Sequence, residues 1–239
     1  MKLLAFDTST DQLSIAVERD GGIWQHQGEG GALASATLIP RIEHLMAEAG
    51  LAYAQLDAIA FGCGPGAFTG LRTACSVAQG LAYGARGASG GAGVPVLPVD
   101  SLLAVAEEAR MRHAPQADAL KVLALLDARM DEIYAAPYRY AAGRWEQQEE
   151  FGLCKPEQLP AFDGHALAGN VFDSYGTRLP LDAALPRWAA LPTATAMLRL
   201  APDLLAQGRA VSAAEALPRY VRDKVAQTTQ ERLAAKAAK

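Results

Sequence analysis

The sequence predicts an α/β protein built from two similar lobes, and three observations predict it. Residues 2–17 give a strand, a short acidic turn and a second strand. Residues 121–138 give the same order again around an acidic turn of their own. Between them a strand runs into a helix through a turn holding three glycines and a proline in seven residues. One supersecondary unit met twice in a chain marks a weak internal duplication. The 239 residues fit one large domain or two small ones, and a chain of that length buries roughly 70% of its unfolded surface without disulfide staples.

Taken in order, residues 2–6 read as a strand and 13–17 as a second with alternating faces. Asp7-Thr8-Ser9-Thr10-Asp11 joins them as a hairpin turn whose hydroxyls and carboxylates can bond their own backbone. Gly21-Gly22 makes the next turn and 23–26 a third strand, which gives the sheet an antiparallel start. Over 34–49, Leu38, Ile42, Leu45, Met46 and Ala49 share one helical face, and Gly50 supplies the stop. Pro40 lies close enough to the first turn to be tolerated. Residues 58–61 are a short buried strand that leads into Gly64-Pro65-Gly66-Ala67-Phe68-Thr69-Gly70-Leu71-Arg72. Glycine takes positive φ cheaply and Pro65 fixes its own φ, so this is a sharp strand-to-helix turn. Leu71, Ala74, Ala78, Leu81 and Ala82 then recur at helical spacing over 71–83. Such a turn presents N–H groups to an anion or to an incoming backbone; the plainer alternative is close packing with no ligand.

Residues 84–93 form a glycine-rich loop without the GK[ST] ending of a phosphate loop, and it reads as a surface linker. Residues 94–99 are a strand, and Ser101 is placed to cap a helix over 102–112. The second unit comes next: strand 121–126, turn Asp127-Ala128-Arg129-Met130-Asp131, strand 132–138. Residues 166–168 with Gly169-Asn170 read as a strand and a turn, ahead of a poorly patterned stretch through Pro192. Residues 193–207 are helical, broken or kinked near Pro202. Residues 217–222 are extended, and the alanine-rich charged tail 227–239 reads as a frayed surface helix. The expected division is a first lobe over 1–100, rejoined by a helix at about 193–208, a smaller lobe over 101–223, and a tail over 224–239.

Composition removes several function classes. Hydrophobic residues make up 51% and charged residues 20%, which is globular, and a net charge of −4 argues against broad autonomous binding to nucleic acid. A local basic patch from Arg72, Arg129, Arg219 and Arg222 stays compatible with that charge. Cys63, Cys75 and Cys154 have no CxxC spacing and suit free thiols in a reducing compartment, with Cys63 and Cys75 packed rather than reactive. The N-terminal apolar run is too short for a signal peptide, and no apolar run reaches the roughly 18 residues of a membrane span. The expectation is a cytoplasmic protein with no membrane contact. His26, His44, His113 and His165 form no HxxxH or HExxH pair, and no GxSxG elbow occurs. Neither a metal site nor a catalytic residue is expected.

Two lobes that each open with a strand, an acidic turn and a second strand describe the actin-like ATPase architecture, a ribonuclease H-like α/β fold. Ala5-Phe6-Asp7-Thr8-Ser9-Thr10, the glycine turn from Gly64 to Arg72, Asp127-Ala128-Arg129 and Pro218-Arg219-Tyr220-Val221-Arg222 occur in order, and over about residues 1–223 the chain resembles the TsaB (YeaZ) family. The resemblance implies a subunit that supports threonylcarbamoyladenosine synthesis in tRNA, next to the anticodon. It implies a larger paralogue, TsaD, as transferase and main partner, the small ATPase TsaE as a second partner, and self-association when alone. The chain departs from the family pattern at Ala67, where a serine is usual, and at Ala34, where a histidine is common.

Actin-like ATPases hold phosphates between two acidic turns, and Asp7, Thr8, Ser9 and Asp127 stand at the corresponding places. Asp7 serves equally well to cap its own turn, and Asp127 to pair with Arg129. The second lobe keeps only Gly169-Asn170-Val171 where an adenine-binding glycine loop would sit. Poor ATP affinity is therefore expected, with no resident cofactor and at most weak ATP or ADP binding at a partner interface. The expected interface is Gly64, Pro65, Gly66, Phe68, Thr69, Gly70, Leu71, Arg72, Cys75, Ala78 and Gln79. Ala74, Ser76, Ala78, Gly80 and Ala82 would let another helix approach, unless that helix is simply core. Two function classes remain. One is a non-catalytic partner subunit. The other is a free-standing ATP-dependent phosphotransferase or hydrolase using Asp7 and Asp127. The missing adenine loop and histidine pair favour the first.

Overall fold

The structure is a computed structural model that describes residues 1–85, 93–150 and 152–221. Expectations for the glycine-rich loop, for Arg222 and for the tail fall largely or wholly outside those residues. Two mixed sheets dominate. The first runs β3-β2-β1-β4-β5, from β1 (Lys2–Asp7), β2 (Gln12–Arg19), β3 (Gly22–Glu29), β4 (Ala58–Gly64) and β5 (Val96–Asp100). Strands β1, β2 and β3 form an antiparallel meander, while β4 lies parallel to β1 and β5 parallel to β4.

The second sheet repeats this plan. β6 (Ala119–Arg129) pairs antiparallel with β7 (Glu132–Ala141), and β7 with β8 (Arg144–Gln147) and β9 (Gly152–Cys154). On its other side β6 is parallel to β10 (Ala166–Gly169), which is parallel to β11 (Arg187–Ala189). β11 lies inside the stretch that showed no pattern. A three-residue parallel strand is too short to show a period in sequence.

Both faces of the first sheet are covered at its centre, so β1 and β4 are apolar on both sides, while the edge strand β3 stays exposed and largely polar. One face sets Leu4, Phe6, Ile15, Ile59 and Phe61 against α1 (Ala34–Glu48) and α2 (Phe68–Gly84). The other sets Leu3, Ala5, Ala16, Ala58 and Ala60 against Met197 and Leu198 of α5 (Ala194–Ala206). Four alanines in that contact let α5 lie close. Thr193 caps α5 by accepting from the Ala196 N–H, and the helix runs unbroken through Pro202. Pro40 sits in the second turn of α1, further in than expected.

Helix α3 (Ser101–His113) joins the two sheets. Leu102, Val105, Ala106 and Ala109 pack on the second sheet, while Ala104 faces the first core. Its N-cap is Asp100, whose Oδ1 accepts from the N–H groups of Leu102 and Leu103, and not Ser101, which is the first helical residue. A buried charge cluster closes this junction. Glu107 receives a bidentate pair from Arg110, Arg199 Nε at 2.8 Å and Trp145 Nε1 at 2.9 Å. Burial pushes the Glu107 carboxyl up, but these donors prevail and hold it below its ordinary value. The cluster thus fastens α5 and β8 to α3 through one carboxylate. Among the described residues no helix is long and apolar enough to cross a membrane.

Candidate functional site: the interlobe cleft and the glycine turn

The hairpin turns of the two sheets face each other across a cleft of about 490 Å³. Its lining includes Ser9, Thr10 and Asp11 from the first turn, Asp127, Ala128 and Arg129 from the second, and Gly66, Phe68, Arg219 and Tyr220 from the glycine turn and the C-terminal segment.

Of the four residues expected to hold phosphate, Ser9 and Asp127 line this cleft. Asp7 and Thr8 lie beneath it, 1% and 0% exposed. Asp7 Oδ1 accepts from the Ser9 N–H at 2.8 Å and the Ser9 hydroxyl at 2.7 Å, so it caps its own turn through Ser9 alone. Burial raises the Asp7 carboxyl from 3.8 to about 6, against the hydrogen bonds of Ser9 and Ser101. Thr8 donates its hydroxyl to the Gly70 carbonyl at 2.7 Å. Asp127 is equally engaged. Its Oδ1 accepts from the Arg129 N–H at 2.8 Å and Tyr175 OH at 3.1 Å, its Oδ2 lies 3.5 Å from Arg129 Nη1, and its own N–H donates to Asn170 Oδ1. Arg129 also reaches across the cleft to form an ion pair with Asp11.

The glycine turn holds backbone. The Ala67 N–H donates to the Ser9 carbonyl at 2.7 Å, and the Arg219 N–H donates to the Cys63 carbonyl at 2.7 Å. A Cβ on Gly70 would lie 1.8 Å from the Thr8 carbonyl oxygen, and one on Gly66 2.5 Å from that of Ser9. Gly64, at φ +121°, would meet the Arg219 carbonyl at 2.7 Å. Glycine is needed here because α2, the first hairpin turn and the C-terminal segment touch main chain to main chain. Burial pushes the Cys63 thiol up to about 12, which leaves no thiolate for chemistry.

The expected interface set divides. Gly64, Pro65, Gly70, Leu71, Cys75 and Ala78 are buried inside the chain, Ala78 fully, against the first sheet. Cys75 and Ala78 are corrected to core, because the small face of α2 lets the helix settle on its own sheet, while Gly64 and Gly70 are closed off by main chain and Pro65 and Leu71 line the cleft. Thr69 and Arg72 are exposed, and Ser76, Gly80 and Tyr83 continue their stripe, while Gly66, Phe68 and Gln79 are half-buried. At the N-terminal end of that stripe the Arg72 guanidinium lies 3.8 Å from the centre of the Phe68 ring, and its Nε donates to Tyr220 OH at 2.9 Å. Phe68 and Tyr220 rings stand 5.0 Å apart, and Leu217 nearby is 67% exposed. Cys75 Sγ and Gln79 Nε2 both donate to the Ala216 carbonyl, which fastens the C-terminal segment along the helix.

Sequence reading missed the roles of Asp11, Asn170 and Tyr175. Asp11 carried a signal, as the second acid of the first turn; its partner is 118 residues away. Among the described residues, no three His, Cys, Asp or Glu side chains come together as a metal site.

Two duplicated α/β lobes whose acidic hairpins face one cleft define a protein of the actin-like class. Comparison narrows the class. The family model described as "TsaD: tRNA N6-adenosine threonylcarbamoyltransferase" matches residues 32–239. The tRNA threonylcarbamoyladenosine biosynthesis protein TsaB of Escherichia coli is 31% identical over 95% of this chain and 96% of its own length. That of Haemophilus influenzae is 34% identical, over 94% and 95%. The structure of YeaZ from Pseudomonas aeruginosa superposes with a TM-score of 0.77 at 37% identity, covering 92% of this chain and 99% of that one. The chain belongs to the TsaB (YeaZ) family, named for tRNA threonylcarbamoyladenosine biosynthesis.

Proposed function

We propose that this chain is a non-catalytic subunit of the assembly that adds the threonylcarbamoyl group to the adenosine beside the anticodon, in tRNAs reading codons that begin with A. It docks on the larger TsaD paralogue through the exposed stripe of α2 and the Phe68–Arg72–Tyr220 patch, and so supports the transferase. The same surface pairs two copies when the chain is alone, since related lobes tend to reuse equivalent faces. TsaE joins the assembly as its ATPase, tRNA is met through the complex, and the setting is the cytoplasm. The chain carries no cofactor of its own, and ATP or ADP binds at most weakly at the partner interface.

One observation carries this reading. The carboxylates with which an actin-like enzyme would hold a metal-bound phosphate are already engaged, Asp7 in a buried bond to Ser9 and Asp127 by Arg129 and Tyr175. Membership of the TsaB family supports the pathway. The test is threonylcarbamoyl transfer to tRNA from purified components, with and without this chain, and with its own ATPase rate read in parallel. Loss of product on omission, with no hydrolysis by the chain alone, is the expected outcome. Full activity without it, or brisk turnover of ATP by it alone, would establish a free-standing enzyme instead.

A further inference from the structure

We infer that Asp11 acts as a built-in anion that occupies Arg129 and keeps the interlobe cleft closed to phosphate groups. Asp11 lies in the turn between β1 and β2, and Arg129 at the end of β6. Their ion pair therefore spans the mouth of the cleft from lobe to lobe. The Arg129 guanidinium faces two carboxylates, Asp11 Oδ2 on Nη2 and Asp127 Oδ2 at 3.5 Å on Nη1. At this guanidinium two negative charges flank one positive charge, so a phosphate approaching Arg129 meets a local surplus of one negative charge; the other arginine of the lining, Arg219, lies 3.9 Å from Asp100 Oδ2.

The other groups that a polyphosphate needs are present. Thr10 and Ser174 bring hydroxyls to the lining, while the Ser9 hydroxyl is donated to Asp7. Asn170 has its Oδ1 engaged by the Asp127 N–H at 2.9 Å, which leaves its NH₂ as the donor end. A guanidinium takes phosphate oxygens and carboxylate oxygens with the same fork geometry, so Asp11 competes directly with that ligand. The Asp11 and Arg129 side chains are 76% and 66% exposed. A pair so exposed contributes little to stability, so its removal leaves the fold intact. The contact regulates access, independently of how the chain docks on a partner.

The test measures binding of inorganic tripolyphosphate, ATP and adenosine by titration calorimetry, without metal, to wild type, Asp11→Asn and Asp20→Asn. Asp20 is an exposed acid outside the cleft, so its variant controls for net charge. A unit charge about 4 Å away is worth roughly a factor of five in water, so Asp11→Asn is expected to bind tripolyphosphate at least about five-fold more tightly. Where wild type shows no measurable heat, a measurable Kd for Asp11→Asn and none for Asp20→Asn is the same result. Adding Arg129→Gln to Asp11→Asn should return binding to the wild-type level. An equal gain for ATP marks a phosphate-only site, and a larger gain adds contacts to the base; both support the proposal. Unchanged tripolyphosphate binding in Asp11→Asn, an equal gain in Asp20→Asn, or a gain for adenosine alone would overturn it. A thermal melt by circular dichroism confirms that each variant is folded.

Discussion

Two glycines of α2 make opposite predictions for the same substitution. Alanine in place of glycine inside a helix gains about 0.8–1.0 kcal/mol from propensity alone. At Gly80 an added Cβ meets nothing within 4 Å, so Gly80→Ala is expected to stabilise the protein by about 0.5–1 kcal/mol. At Gly70 the same atom would stand 1.8 Å from the Thr8 carbonyl oxygen. Relieving that contact requires more than about 1 Å of separation, since contacts under 3.0 Å are not sustained. The neighbours resist it: Thr8 is tied to Gly70 at 2.7 Å, and Ser9 to Ala67 at 2.7 Å. Forced repacking costs typically 1–3 kcal/mol and loss of the Thr8 hydrogen bond about 1 kcal/mol more, which exceeds the propensity gain. Gly70→Ala is therefore expected to destabilise by about 1–3 kcal/mol. Urea unfolding followed by far-UV circular dichroism separates the two cases. A Gly70→Ala protein as stable as wild type, or more stable, would refute the main-chain contact between α2 and the first hairpin turn.

The Asp7 carboxyl, raised from 3.8 to about 6, keeps its proton in the folded state where the unfolded chain has released it, between about pH 4 and 6. Stability should fall as pH rises through that window, and by neutral pH the ionised buried group costs on the order of 1–3 kcal/mol. Asp7→Asn keeps the acceptor for Ser9 and should remove that slope and be the more stable form at pH 7; urea midpoints that run parallel from pH 4 to 8 would count against this. For α2, Ala78→Glu places a carboxylate where exposure is 0%, at a cost of several kcal/mol, and should yield unfolded protein rather than a folded monomer. Ser76→Glu lies on the exposed stripe and should fold as wild type while weakening capture by TsaD, the proposed partner, about ten-fold or more. Equal capture by Ser76→Glu and wild type in a pull-down would move the docking surface elsewhere.

Much of this architecture was legible because period and turn chemistry agree locally. The helix expected at 34–49 is Ala34–Glu48, and the two hairpins sit at Asp7 and Asp127 as read. What failed depends on tertiary context. Ser101 and Asp100 are adjacent residues of capping type, and only the backbone decides which one accepts from Leu102 and Leu103. The small residues of α2 look the same whether the helix lies on a partner or on its own sheet, and Ala78 lies on the sheet. Helix α3 buries Glu107 and Glu108 beside Leu102 and Ala106 because Arg110, Arg112, Arg199 and Trp145 reach them from several sides. No sequence window contains that arrangement. The pairing of Asp11 with Arg129 likewise exists only once the two lobes face each other.

The duplication also explains why two equivalent acids differ. In each lobe the strand beside the first hairpin carries, at or near its C-terminal end, a glycine whose Cβ would strike a neighbour. A Cβ on Gly62 in β4 would lie 1.8 Å from Asp7 Oδ2, and one on Gly169 in β10, at φ +154°, 1.8 Å from the Leu125 carbonyl. The helices that leave those two strands are unlike. After β4 comes α2, 17 residues long, whose first turn presses on Thr8 and Ser9 and seals Asp7 under main chain. After β10 comes α4 (Phe172–Tyr175), four residues long, which brings only the Tyr175 hydroxyl to Asp127. The long helix buries one acid and lifts its pKa; the short one leaves the other at the cleft, held by side chains and an arginine. Both carboxylates cap their own turn through the N–H two residues on, and a helix of different length on the same scaffold is enough to bury one of them and leave its counterpart at the cleft.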